Sequence, residues 1–269
     1  MQPHRFGILI VLLLLMASAC GGGPAAPSTT TPPPTVPSTN ACSALGQAVS
    51  ASTSIVNGAD CPTTNSSIVL LNMKDQTGQQ TGTCSGTVIA ARAVLTAAHC
   101  LQGDVGSINV FLGSGPQQVS TSFAVHPSWR ASASTQYDVA VISMPADIGR
   151  AAVPLLLSRD ARVGETAIMS GWGRNDVGAL STLRAGSATI TAVSAFTLQT
   201  TYTTTAGSVC QGDSGGPILI QEGGAWSVAG VISANSTLAC SFGDNFYANL
   251  RHPDISAFVL ARVPDASRR

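Results

Sequence analysis

The stretch Gly212-Asp213-Ser214-Gly215-Gly216-Pro217 runs directly into Ile218-Leu219-Ile220. A serine set between glycines sits on a tight turn, and two architectures use such a turn: in one the chain enters a helix straight after the serine, in the other a strand. Here two glycines and a proline lead into a short β-like run, so a strand is expected. The same texture extends outward. Val228-Ala229-Gly230-Val231-Ile232 follows, and upstream lie Ile68-Val69-Leu70-Leu71, Gly86-Thr87-Val88-Ile89, Ile108-Asn109-Val110-Phe111 and Val139-Ala140-Val141-Ile142, separated by turn residues. Short runs at this spacing predict an all-β barrel or sandwich. No long apolar pattern of helical period interrupts them, except at the end, where Pro253-Asp254 can start a helix with Ile255, Phe258 and Val259 on one apolar face.

Composition sets bounds on function. The chain has 269 residues, enough to bury a substantial core, and its 13 basic residues balance its 13 acidic ones. With 10% charged residues and no Lys/Arg block, the electrostatic footprint of a nucleic-acid binder is absent, and no such partner is expected.

The amino terminus reads as an export signal. Arg5 supplies the positive flank, and the apolar run from Phe6 to Ala17 is too short to span a bilayer of about 30 Å. It ends in Ala17-Ser18-Ala19-Cys20, which resembles the lipobox of bacterial lipoproteins, with Ala17 where Leu is usual. The alternative is an ordinary signal cut at A-x-A beside a stray cysteine. Cysteine arithmetic supports lipidation at Cys20, since seven cysteines is an odd count and removing this one leaves six, enough for three disulfides in an oxidising compartment. The expected location is therefore extracytoplasmic, anchored to a bacterial membrane through lipid alone, with plain secretion as the alternative. From Gly21 to about Ala41 the chain is almost entirely Gly, Pro, Ser, Thr and Ala. Such a stretch cannot fold, and as a tether of some 20 residues it reaches up to about 60 Å. There is no internal repeat. The expected division is a signal at 1–19, a lipid-attached tether and propeptide at 20–54, a folded domain at 55–263 and a tail at 264–269.

Three separated segments carry the residue types of a nucleophilic triad: Leu95-Thr96-Ala97-Ala98-His99-Cys100, Tyr137-Asp138-Val139-Ala140-Val141, and the Ser214 turn. A serine hydroxyl is a poor nucleophile at neutral pH, so His99 would take its proton, and a buried Asp138 would fix the ring's tautomer and stabilise the imidazolium. Singly, each segment has a plainer reading as a core histidine, a strand-opening cap and a turn. Together they resemble the trypsin/chymotrypsin serine proteases, and the resemblance runs from Ile55 to about Val263. It implies two packed six-stranded antiparallel β-barrels with a carboxy-terminal helix, and a serine endopeptidase whose oxyanion hole is the backbone N–H groups of Gly212 and Ser214.

The resemblance implies more. Ile55-Val56-Asn57-Gly58 looks like the family's mature amino terminus, with Asn57 where Gly is more common. Cleavage before Ile55 would free an ammonium that inserts beside a buried carboxylate, here Asp213, so the uncut protein should be largely silent. The residue before the cut is Ser54, so a trypsin-like activator is not expected; either a protease preferring small residues acts there or the enzyme processes itself. The family's pairings imply Cys84 with Cys100 and Cys210 with Cys240. Cys61 matches a family cysteine whose usual partner lies after Gly171-Trp172-Gly173, where this chain has none, leaving Cys42 across the cleavage site. The pocket floor falls on Ser208, so the carboxylate that attracts Arg and Lys is missing. Ser233-Ala234-Asn235 resembles the substrate-pairing segment, and Asn235 and Asn245 stand where glycines keep the pocket open. A shallow, uncharged pocket for small residues is expected.

The remaining histidines, His4, His126 and His252, show no metal-ligand spacing, and neither metal nor cofactor is expected. The partners expected are protein or peptide substrates, and the chain is expected to be a monomer. Two other functions stand as alternatives: a catalytically silent, lipid-tethered binding protein of the same fold, and an α/β-hydrolase esterase using Ser214, Asp244 and His252, against which stands the strand expected after Pro217.

Overall fold

The structure is a computed structural model describing residues 41–45, 55–113, 117–174, 182–237 and 239–269. The signal segment, Cys20, the tether and Ser54 lie outside the described residues.

Among the described residues, thirteen strands and one α-helix follow the short β1 (Ala59–Asp60) in chain order. The first barrel comprises β2 (Ile68–Lys74), β3 (Gln80–Ala90), β4 (Ala93–Thr96), β5 (Ser107–Phe111), β6 (Gln118–Ser120), β7 (Ser122–Val125) and β8 (Ala140–Ser143). Their sheet order is β6-β5-β2-β3-β4-β8-β7. The two end strands are halves of one run broken at Thr121: one half pairs with β5 and the other with β8, so the barrel is nearly closed. At the break Ser120 Oγ accepts from Ser122 N at 3.1 Å and donates to Ser143 O at 2.6 Å, which supplies partners to the backbone where the ladder is interrupted. Alternation along β2 and β5 sends Leu71, Met73, Ile108 and Val110 inward, as the period of two requires.

The second barrel is built from β9 (Thr166–Gly171), β10 (Arg184–Val193), β11 (Thr197–Thr201), β12 (Pro217–Glu222), β13 (Ala225–Asn235) and β14 (Asp244–Asn249). These six close into a ring through the β9–β10 pairing, and β1 adds a short seventh strand at the outside of β10. Its core is Met169, Ile190, Leu198, Ile218, Ile220 and Tyr247. The expected pair of six-stranded barrels is thus realised with two refinements, the broken strand in one and the added β1 in the other. At the seam Trp172, only 1% exposed, donates its ring N–H to Ile68 O at 3.2 Å and meets Phe111 edge-on at 5.7 Å. A buried indole N–H needs such a partner, and this bond ties the second barrel to the first.

The helix forms where expected, α1 (Pro253–Arg262), burying Ile255, Phe258 and Val259. His252 caps it, its Nδ1 accepting from Asp254 N at 3.2 Å. Residues 264–269, expected as a tail, are packed instead: Ala266 is buried, Leu155 N donates to Ser267 O at 2.8 Å, and Arg269 N donates to Leu155 O at 2.9 Å. At the other end Ala41, Cys42, Ala44 and Leu45 are buried in the same core cluster as β1 and β10. The Cys42–Cys61 disulfide holds them there. Among the described residues no helix is long and apolar enough to cross a membrane.

Candidate active site

The short 3-10 turn Ala98–Leu101 leaves β4 with its alanines buried, so the only side chain free to face outward near its start is His99. The Cys84–Cys100 disulfide pins this turn to β3. Asp138 enters from another direction. Tyr137, just before it, has φ 56°, a left-handed conformation that turns the chain sharply and lets Val139 N bond Tyr137 O at 2.7 Å. The carboxylate of Asp138 is fully buried and three donors converge on it: His99 Nδ1 at 2.7 Å, His99 N at 2.8 Å and Ser233 Oγ at 2.5 Å. Burial without those donors would be costly. With Nδ1–H committed to the carboxylate, Nε2 carries the free lone pair and can accept a proton.

The serine arrives on the loop between Cys210 and β12, and its backbone is held plane by plane. Gln211 O accepts from Arg174 N at 2.8 Å, Asp213 O from Gly216 N at 2.9 Å, and Ser214 O from Ser85 N at 2.7 Å, while Gly212 O accepts from Ser85 Oγ at 2.8 Å. Among the described residues the N–H groups of Gln211, Gly212 and Ser214 in this loop have no acceptor, and those of Gly212 and Ser214 are the pair that flanks Asp213 on the serine turn. A pair of preset, unsatisfied donors on one turn is suited to binding developing negative charge. Gly212 has φ 97° and Gly215 φ 84°, and a Cβ on Gly215 would come within 2.1 Å of Thr96 Oγ1 and 2.3 Å of Ser85 O. Only glycine allows this approach, which sets the serine loop against the end of β4 that leads to His99. Ser214 itself is half-buried. The ring bonds Asp138 through Nδ1, and the hydroxyl of Ser214 is not bonded to it here; in free enzymes such a bond is commonly long and tightens with substrate.

Asp213, 1% exposed, accepts from Gly173 N and Cys210 N, each at 2.8 Å. Burial pushes its carboxyl up to about 6, partly offset by those two backbone donors and the nearby Arg184. Ile55 is fully buried in the core of the second barrel, and Val56 bridges to Ser208.

A cavity of about 170 Å³ adjoins Ser214, lined by Val209, Gln211, Ala234, Asn235 and Thr237 among others, with the Cys210–Cys240 disulfide at its edge. Of the four residues expected at the pocket, only Asn235 lines it. Ser233 turns the other way, onto Asp138, because alternation along β13 sends it to the face opposite its neighbours. Ser208 and Asn245 are fully buried beneath the cavity. There Asn245 Oδ1 accepts from Ser208 Oγ at 3.0 Å, Asn235 Nδ2 at 2.9 Å and Val209 N at 3.3 Å, while its Nδ2 donates to Thr200 Oγ1 at 3.2 Å. Asn235 and Asn245 are cross-strand partners, so their amides meet over Ser208 and seal the floor above it.

The alternative triad is not assembled. Ser214 is followed by β12 rather than a helix; Asp244 accepts from Thr201 Oγ1 at 2.7 Å, and His252 stacks on Phe196 at 4.6 Å while capping α1. His99 lies beside the sulfurs of Cys84 and Cys100, but those are joined to each other and are not thiolate ligands, so this cluster does not make a metal site.

Two contributors to the site were not legible beforehand. A single hydroxyl, Ser233, at the end of the apolar run Val228 to Ile232 was a signal that a buried partner existed, since buried hydroxyls are satisfied. Ser85, which grips the serine loop twice, gave no such signal.

The Trypsin family model matches residues 55–252. Chymotrypsin-like elastase family member 3A of Homo sapiens is 30% identical over 198 residues, covering 62% of this chain and 73% of that protein. Trypsin of Saccharopolyspora erythraea is 31% identical over 162 residues, covering 52% of this chain and 71% of that one. The solved structure of HL collagenase matches with a TM-score of 0.65 at 21% identity, covering 78% of this chain and 98% of that one, a likeness of fold.

Proposed function

Since the chain belongs to the trypsin family and is a serine protease, an endopeptidase by that kinship, we propose that His99, Asp138 and Ser214 are its catalytic triad and that it cleaves after small uncharged residues. The observation that carries the triad is the 2.7 Å bond from His99 Nδ1 to a fully buried Asp138, which leaves Nε2 as the base. Ser214 Oγ attacks the scissile carbonyl as His99 takes its proton. The tetrahedral oxyanion is bound by the N–H groups of Gly212 and Ser214, a contribution of about 3 kcal/mol per donor. His99 then protonates the leaving amine, an acyl-enzyme remains on Ser214, and water, deprotonated by His99, releases the acid.

The small-residue preference is supported by the floor: Asn235 Nδ2 donates to Asn245 Oδ1 and their remaining amide groups bond Thr237 and Thr200, so the 170 Å³ cavity ends in neutral groups with no carboxylate lining it to receive a cation. The name of the human relative, an elastase, accords with this. Activation by a cut before Ile55 is supported by Asp213, a buried carboxylate with no ion pair among the described residues, which a new ammonium would neutralise. The Cys42–Cys61 bridge spans that cut, so the domain would stay joined to a lipid-bearing propeptide.

The test is labelling by a fluorophosphonate probe of protein cut before Ile55. Tagging at Ser214, abolished in Ser214→Ala, is expected; a wild-type protein that takes no tag is the silent binding protein instead. A peptide-library profile dominated by Arg or Lys removes the pocket reading.

A further inference from the structure

Ser85 is a fully buried residue of the first barrel, yet its N–H and its hydroxyl both reach the serine loop of the second. Its N–H donates to Ser214 O at 2.7 Å, its carbonyl accepts from Thr96 Oγ1 at 2.9 Å, and its hydroxyl accepts from Trp172 N at 2.9 Å while donating to Gly212 O at 2.8 Å. The hydroxyl is thus a relay. The backbone N–H of Trp172, fixed at the seam by its ring, polarises the Ser85 O–H, which holds the Gly212 carbonyl.

That carbonyl belongs to the peptide plane between the two oxyanion donors. The Gly212–Asp213 plane joins the plane that carries Gly212 N to the plane that carries Ser214 N, and Gly212, at φ 97°, has no Cβ to resist rotation. Of the held carbonyls in this loop it is the one gripped by a side chain rather than by backbone. We propose that Ser85 is a positioning residue for the oxyanion hole: its hydroxyl holds the carbonyl end of the Gly212–Asp213 plane, whose N–H end donates to Cys210 O at 3.0 Å, and thereby sets the aim of both donors, so that the first barrel contributes to the geometry of a hole built by the second. The assignment rests on the reading of Ser214 as nucleophile.

The experiment separates the hole from the cleft. Protein cut before Ile55 is titrated with a small-residue peptide aldehyde, which forms a tetrahedral adduct on Ser214 whose oxygen enters the hole, and with the matching peptide alcohol, which fills the cleft without an adduct. In Ser85→Ala the aldehyde affinity and kcat are expected to fall about tenfold or more, with KM and alcohol affinity unchanged, and Ser85→Thr, which keeps a hydroxyl, to recover most of the loss. Should Ser85→Ala not fold, Ser85→Cys, a similar-sized but weak donor, is read by the same pair of affinities. Equal loss of both ligands, or loss of neither, overturns the assignment. A wild-type protein that forms no aldehyde adduct overturns the protease mechanism at Ser214, and this role with it.

Discussion

The uncut chain keeps a carboxylate in its core with no ion pair among the described residues, and this makes a measurable pH signature. Asp213 rises from 3.8 to about 6 because it is buried, and its two backbone donors only partly compensate. A folded-state value above the unfolded one means that the native state holds its proton longer. The associated stability is fully present below pH 3.8 and is lost as pH rises through about 6. At about 1.4 kcal/mol for each tenfold change in proton affinity, the full shift is worth about 3 kcal/mol, of which about 2.4 kcal/mol is lost between pH 4 and pH 7 because the unfolded carboxyl is already mostly ionised at pH 4. Asp213→Asn does not titrate, so the stability of the parent minus that of the variant isolates the effect. We expect this difference, measured by urea unfolding in a Ser214→Ala background that prevents self-cleavage, to fall by about 2.4 kcal/mol from pH 4 to pH 7 in the intact chain. After cleavage before Ile55, an ammonium beside Asp213 favours the charged form, and the difference should instead grow with pH. A flat difference in the intact chain would show that Asp213 bears no uncompensated charge, and the electrostatic account of activation would fail.

Three further outcomes are expected. Ser233→Ala removes the 2.5 Å bond to Asp138 Oδ2, and steady-state kinetics should show kcat lowered by about tenfold, the worth of a bond to a charged group, with little change in KM. Asn235→Gly unseals the floor while Asn245 keeps its bonds from Ser208 and Val209, so a cleavage profile should shift toward larger uncharged residues, whereas a profile that still rejects them would place the selectivity elsewhere. On denaturing gels, protein cut before Ile55 should run as one species without reductant and two with it, and Cys42→Ala should run as two in both.

Much of the fold was legible because strand alternation and turn residues are local signals: β2, β5 and β12 lie where their apolar runs fall, and α1 begins at Pro253 as its cap chemistry requires. The break at Thr121 and the addition of β1 were not, since both depend on which distant strand is available to pair. Within the site, His99, Asp138 and Ser214 were marked by residue type and surroundings. The roles of Ser233 and Ser85 were hidden because a serine's function is set by what it faces, and the register across the seam decides that. The pocket was half legible: the absence of an acidic floor follows from Ser208, but that Asn235 and Asn245 bond each other, excluding Ser208 from the cavity, required the β13–β14 register.

The docked segment Ala41 to Leu45 bears on where anyone should begin a gene for this domain. An open reading frame started at Ile55, the natural choice for making a ready-made mature enzyme, would strip buried apolar side chains from the surface of β1 and β10 and leave Cys61 a lone thiol. Such a preparation would tend to cross-link through that sulfur and be mistaken for a natural dimer.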